Sequence, residues 1–294
     1  MLAALVATKL GYEAWRLVHK LMAVAYGFGL VHYYSSSTYG PWGTGAFSVW
    51  LDAVNLIGVA AAMFAILLYA HFGFAYRYRI TGLRPVGQGN LEITAHLAGR
   101  PVGWRAGQFA FIRFPGHRFW PHPFTIASAP DGGTIQFAIR ALGDDTARLP
   151  GVLKVGDPVQ ISGAHGRFDF RKGSARQVWI AAGIGVTPFR AFWQAGVPGE
   201  FDVDFFYSFK AGEGAYLDEI NELVNTSTNV RVHLIDTAKE GRLTGEKIAK
   251  TLAGNGLVDV YFCGPKPMRE AISHGLREAA LNTRFHREEF TFGR

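Results

Sequence analysis

Apolar and polar positions follow three successive patterns along this chain, and each predicts a different kind of structure. Up to residue 75 the apolar residues come in long runs, at 14–34 and 46–72, the second carrying a single charge, Asp52. A helix needs about 20 apolar residues to cross a bilayer, so these runs predict a membrane α-hairpin of two helices. Between them, 33–45 has no Lys or Arg and holds Gly40-Pro41, a loop signal. From 76 to 172 the period becomes that of strands, with candidates at 76–82, 90–98, 108–114, 123–129, 134–140 and 158–162. Short strands without a long helix predict an antiparallel β-barrel. From 173 to 294, strand-like runs at 177–182, 202–207, 229–235 and 258–263 alternate with helical runs at 188–195, 215–225, 244–253 and 266–280. That alternation predicts an α/β domain with a doubly wound parallel sheet and its ligand at the strands' carboxyl ends.

Composition sharpens the first pattern. The chain has 294 residues, 49% of them hydrophobic and 14% aromatic, which is high for a soluble protein. Arg77 and Arg79 follow the second apolar run, so the positive-inside rule predicts an integral protein of the cell membrane with both ends cytoplasmic. Trp15, Trp42 and Trp50 fall where an aromatic belt would lie; a pair of buried soluble helices is the alternative. Lys9 interrupts the leading apolar run, unlike a signal peptide. The net charge is +7, but no basic run exceeds two residues, so phosphate contacts and anionic membrane lipid are expected rather than nucleic acid. One cysteine excludes an internal disulfide and a Cys-ligated iron–sulfur cluster.

Three stretches carry candidate chemistry. In His122-Pro123-Phe124-Thr125 the proline imposes extended backbone, with hydroxyls on one side and an imidazole at the entry. Such an edge suits a flat, polar, anionic ligand; taken alone it is simply a strand. In Gly183-Ile184-Gly185-Val186-Thr187-Pro188 the glycines let backbone approach a pyrophosphate, and Pro188 suits a first helical turn. Cys263-Gly264-Pro265 follows a buried strand, where a lone cysteine is ordinarily packing. Thr146 stands at an expected helix start, where unpaired N–H groups make an anion site. No acid sits immediately after Ser208, whereas Lys210 and Arg242 offer cations that suit a phosphate, although exposed Lys and Arg are common.

In this order and spacing the three stretches resemble the flavin and nicotinamide sites of the ferredoxin-reductase-like superfamily, and more narrowly its membrane branch, the ferric reductases and NADPH oxidases. The resemblance implies FAD and NAD(P)H as cofactors. It places Thr125 near flavin N5, with His122, Pro123, Phe124, Arg140 and Thr146 in the flavin site. It places Gly183, Gly185, Thr187, Pro188, Ser208, Lys210, Arg242, Gly264 and Pro265 around the nucleotide, and Cys263 beside nicotinamide C4. Phe290 would cover the isoalloxazine, with Glu288 a polar partner near the transfer site. Gly163–Phe168 resembles the family's Gly-Pro-Tyr-Gly turn but lacks its Pro and Tyr.

Trp15–Lys20 and Leu30–Tyr33 resemble the fifth helix of the family's six-helix haem domain, with His19 and His32 as haem-iron ligands. Thirteen positions along a helix rise about 20 Å, near the spacing of two stacked haems, although the two side chains fall off a common face. The opposing ligands would come from a third helix that this chain lacks. Haem b is then expected only where a haem-bearing partner chain or a missing segment supplies them; otherwise the pair is a relic. The implied function is hydride transfer from NAD(P)H to FAD, then single electrons toward haem and ferric iron or dioxygen. Alternatives are a membrane-docked reductase serving a soluble acceptor, and a non-catalytic partner subunit. The expected domains are 1–75, a partial haem domain; 76–172, the FAD barrel; and 173–294, the NAD(P) domain.

Overall fold

The computed structural model describes residues 12–36, 45–64, 74–116, 121–141, 144–252 and 256–288. The chain divides into a helical unit preceding Phe74 and a compact unit, Phe74–Glu289.

The helical unit contains α1 (Tyr12–Ser35) and α2 (Ala46–Met63). No residue of α2 is buried, and Phe47, Trp50, Leu56 and Ile57 are exposed. Among the described residues α2 is the one helix long and apolar enough to cross a membrane. The expected membrane hairpin of two such helices is not supported: Glu13, Arg16 and Lys20 lower the hydropathy of α1, which leaves α2 alone. Residues 65–72 of the expected second span lie outside the described residues. Tyr33 Oη donates to Asp52 Oδ1 at 3.2 Å and Tyr26 Oη to the Asn55 carbonyl at 3.1 Å, so the polar groups of α2 face α1.

In the compact unit, β1 (Tyr76–Pro85), β2 (Asn90–Leu97), β3 (Phe109–Arg113), β4 (His122–Thr125), β5 (Thr134–Arg140) and β6 (Pro158–His165) form one antiparallel sheet in the order β4-β3-β6-β1-β2-β5. A bridge between Ile126 and Phe137, with Ala127 N–H donating to the Gln136 carbonyl at 2.8 Å, closes it into a barrel. The expected strand 123–129 is therefore split. Its first part pairs with β3 up to Thr125, and from Ile126 the chain turns to β5, which removes an exposed edge. Ile80, Ile93, Ile112, Ile126, Phe137 and Ile161 fill the interior. Helix α3 (Asp144–Val152) starts two positions before Thr146.

The second sheet contains β7 (Arg176–Ala182), β8 (Asp202–Phe209), β9 (Val230–Asp236), β10 (Val258–Cys263) and β11 (Thr283–Glu288), all parallel, in the order β11-β10-β7-β8-β9. Helices α4 (Thr187–Gln194), α5 (Leu217–Thr226), α6 (Thr237–Glu240), α7 (Gly245–Thr251) and α8 (Lys266–Glu278) accompany it. Every residue of β10 is buried, as expected of a strand covered on both faces. β11 follows α8 and adds a parallel edge strand beside β10, past the last of the four expected strands. Barrel residues Val86, Ala106 and Ala138 share one core with Phe168, Phe170, Trp179, Phe189, Phe192 and Phe205. Truncating one such aromatic to alanine costs about 3–5 kcal/mol, so this aromatic cluster holds barrel and sheet as one body.

Two fully buried carboxylates pin the sheet's outer strands. Asp204 on β8 accepts from Arg231 at 3.1 and 3.0 Å, from His233 at 2.7 Å and from Arg176. Asp259 on β10 accepts from Arg284 at 2.6 and 2.9 Å, from Ser174 at 2.6 Å, and pairs with His286 at 2.5 Å.

Candidate active site

The site grows from the carboxyl ends of β7 and β10. After Ala182 the chain makes one tight turn, Gly183–Val186, and enters α4 with Pro188 in its first turn. Thr187 Oγ1 donates to the Ile184 carbonyl at 3.1 Å, so its hydroxyl braces the turn. The loop rests directly on the Cys-Gly-Pro turn. A Cβ on Gly185 would overlap the Cys263 carbonyl and lie 3.3 Å from its Sγ. Only glycine permits that approach. The turn leads into the N-terminus of α4, the usual place for a nucleotide phosphate.

Cys263 is buried and stands in register with Ala181 of β7 and with Glu288 of β11. Burial, and then the charge of Glu288, hold the Cys263 thiol far above the ordinary thiol range, so it is neutral and not a nucleophile. Glu288 is 8% exposed, its Oε2 has no hydrogen-bond partner, and burial pushes its carboxyl up to about 8. The barrel meets this pair at Gly166, where a Cβ would lie 3.1 Å from Glu288 Oε1 and 3.2 Å from the Phe109 ring. Phe109 pairs directly with Thr125. The Pro-Phe-Thr strand and the Cys-Gly-Pro turn, more than a hundred residues apart in sequence, therefore occupy adjoining walls. The glycine cradle and the partnerless carboxyl oxygen fit a planar ring with a nucleotide tail.

The other expected residues fall as follows. His122 and Pro123 are half-buried, and Phe124 and Thr125 are buried. Thr146 is half-buried in the first turn of α3. Arg140 reaches from the barrel to the nucleotide loop, with Nη1 3.5 Å from a Gly183 Cβ and Nη2 3.3 Å from Glu213 Oε2. Ser208 is buried at the end of β8, and Lys210 is exposed with Glu213 Oε1 at 4.0 Å. Gly264 and exposed Pro265 lead into α8, and Arg242 is exposed between α6 and α7. Phe290 lies outside the described residues, as does the side chain of His19; His32 is exposed on α1. Among the described residues no three His, Cys, Asp or Glu side chains gather as a metal site. One residue escaped the sequence reading: Arg190, a buried charge inside the otherwise apolar start of α4. Its one signal is that placement.

Residues 76–169 match the family model of an FAD-binding domain, and residues 179–274 that of an oxidoreductase NAD-binding domain. The chain is 27% identical over 228 residues to the toluate 1,2-dioxygenase electron transfer component of Pseudomonas putida, covering 73% of this chain and 67% of that one. Of two other curated relatives it spans little more than half the length. It is 29% identical over 142 residues to putative respiratory burst oxidase homolog protein H of Arabidopsis thaliana, covering 47% of this chain and 15% of that one. The structure is similar to that of an Amycolatopsis cytochrome P450 reductase, with a TM-score of 0.63 and 20% identity over 73% of this chain and 69% of that one, a likeness of fold. With barrel, parallel sheet and both domain matches in agreement, the chain is an NAD(P)H-dependent FAD oxidoreductase of the ferredoxin-reductase-like superfamily.

Proposed function

We propose that this chain is a membrane-bound reductase that takes hydride from NADPH onto FAD and delivers single electrons to haem on a partner chain, and from there to ferric iron or dioxygen. The observation that carries the reductase chemistry is the meeting of Thr125 and Cys263 through Phe109, Gly166 and Glu288. Bound FAD would supply the conversion from hydride to single electrons. The chain's own residues do the rest. Gly185 lets the nucleotide loop sit against Cys263, the neutral thiol contributes shape without competing as a base, and buried Glu288 narrows the space left to water. No general base is needed for hydride transfer, so positioning is the protein's main contribution, and it is worth several kcal/mol when tight.

The membrane half of the proposal is supported by the exposed apolar surface of α2 and by its length. It places the FAD and NAD(P) domains in the cytoplasm. The haem-bearing partner is supported by the exposure of His32 on α1, which leaves its imidazole free to meet another chain's haem. Lys210 and Arg242 support NADPH over NADH. A soluble acceptor is the second reading, favoured by the 73% of the chain that matches an electron transfer component of a dioxygenase.

The test is anaerobic mixing of the purified holoprotein with NADPH. Bleaching of the flavin absorbance supports the reductase, and its absence with both NADPH and NADH leaves only a non-catalytic role. Retention in carbonate-washed membranes and subsequent reduction of a haem Soret band would support the membrane route. A fully soluble protein without haem contact would leave the soluble-acceptor reading.

A further inference from the structure

Arg190 is 4% exposed and lies in α4, three residues beyond Thr187 of the nucleotide loop. A buried guanidinium persists only where its donors are matched, and here the matching is divided between the barrel and the parallel-sheet domain. On its own domain, Nε and Nη2 make a fork to Glu219 of α5 at 2.7 and 2.8 Å. On the barrel, Nη1 donates to the Ala127 carbonyl at 3.0 Å and to Gln136 Oε1 at 2.8 Å. Glu92 of β2 lies 3.7 Å away, and the Tyr216 ring stacks under the guanidinium at 4.3 Å. Gln136 and Ala127 are themselves the pair whose backbone bond closes the barrel. Ala127 is two residues past Thr125, on the flavin wall. Three residues of α4 and two of the barrel thus separate this plane from the two walls between which hydride must pass.

We propose that Arg190 is a positioning residue for hydride transfer: by sharing one rigid guanidinium plane between Glu219 and the Ala127–Gln136 closure, it sets the separation of the flavin wall from the nicotinamide wall. An apolar seam alone would hold the domains together but would leave them free to slide by fractions of an ångström, because dispersion is not directional. The fork supplies direction. A lysine keeps the charge and loses the geometry, since an ammonium cannot bond the carboxylate and the barrel in one plane.

The inference rests on the reductase reading, and its test separates the two. Arg190→Lys holoprotein is compared with wild type for FAD content, for the rate of flavin reduction by NADPH, and for hydrogen exchange of the 126–137 amides in the protein freed of flavin. A misplacement of about 1 Å costs on the order of 100-fold in rate, so the variant should keep its FAD and its nucleotide KM while reduction slows by about 10- to 100-fold. Exchange at 126–137 should quicken. In Arg190→Ala, added guanidinium should restore part of the reduction rate. A folded Arg190→Lys protein with wild-type reduction, or with unchanged exchange at 126–137, overturns the proposal. If that variant does not fold, Glu219→Gln, which removes the charged half of the fork, must slow reduction in the same direction, and an unchanged rate overturns it. If wild type itself is not reduced, the reductase reading fails, and the exchange comparison still decides whether Arg190 clamps the seam.

Discussion

Cys263 and Glu288 stand side by side in register on the parallel strands β10 and β11, and burial raises the proton affinity of both. The thiol therefore stays neutral throughout the physiological range, while the carboxyl changes state close to it. A neutral sulfur beside a carboxyl poised at about 8 makes a wall that is apolar in acid and charged in base. Both members are placed by strand pairing, so neither depends on a flexible loop.

Replacing Glu288 with Gln should abolish a pH dependence of stability. A carboxyl whose affinity rises on folding favours the native state below the unfolded pKa, and that advantage is lost as pH climbs through about 8. At about 1.4 kcal/mol for each tenfold change in proton affinity, the full effect is on the order of 5 kcal/mol. Thermal melts from about pH 5 to pH 9 should show wild type losing ground to Glu288→Gln as pH rises. Parallel curves for the two proteins would mean the carboxyl is not buried as described.

Gly185→Ala should block nucleotide chemistry and spare the flavin. The added methyl overlaps the Cys263 carbonyl, and neither backbone can retreat without moving β10. Overpacking of this kind costs about 1–3 kcal/mol. FAD content should stay near wild type while NADPH bleaches the flavin slowly or not at all; wild-type bleaching would show that the loop has room to spare.

The Cys263 thiol should resist iodoacetamide in the folded protein and react once unfolded, as read by mass spectrometry at about pH 8, because burial keeps it neutral and out of reach. Cys263→Ala should slow flavin reduction and leave FAD content intact. Rapid labelling of the native protein, or reduction kinetics unchanged by the substitution, would remove Cys263 from the transfer site.

Asp259→Asn should destabilise the protein by about 1.5–3 kcal/mol at neutral pH, the cost of losing hydrogen bonds to a buried charged acceptor whose cationic partner is half exposed. Burial opposes ionisation of Asp259, but hydrogen bonds from Arg284, Ser174 and His286 outweigh it and hold the carboxyl below the usual range. That stability is present above the ordinary carboxylate pKa and is lost as pH falls through the depressed one. Denaturant titrations should find the gap between variant and wild type narrowing below about pH 4. A gap that widens in acid would contradict the ionised state.

Much of this protein was legible before any coordinates. The barrel strands and the alternating strands and helices follow from period-two and period-3.6 patterns, which are local properties of the chain. The glycines of the nucleotide loop and the proline of His122–Thr125 were legible for the same reason, since backbone freedom and restriction belong to single residues. Tertiary structure alone decided the departure of Ile126 from β3 to β5, because closure depends on which edge comes within reach. It alone put Glu288 against Cys263, Glu213 against Arg140, and Arg190 between barrel and sheet. Those pairings join residues far apart along the chain, and their chemistry comes from burial and distance, which no local pattern encodes.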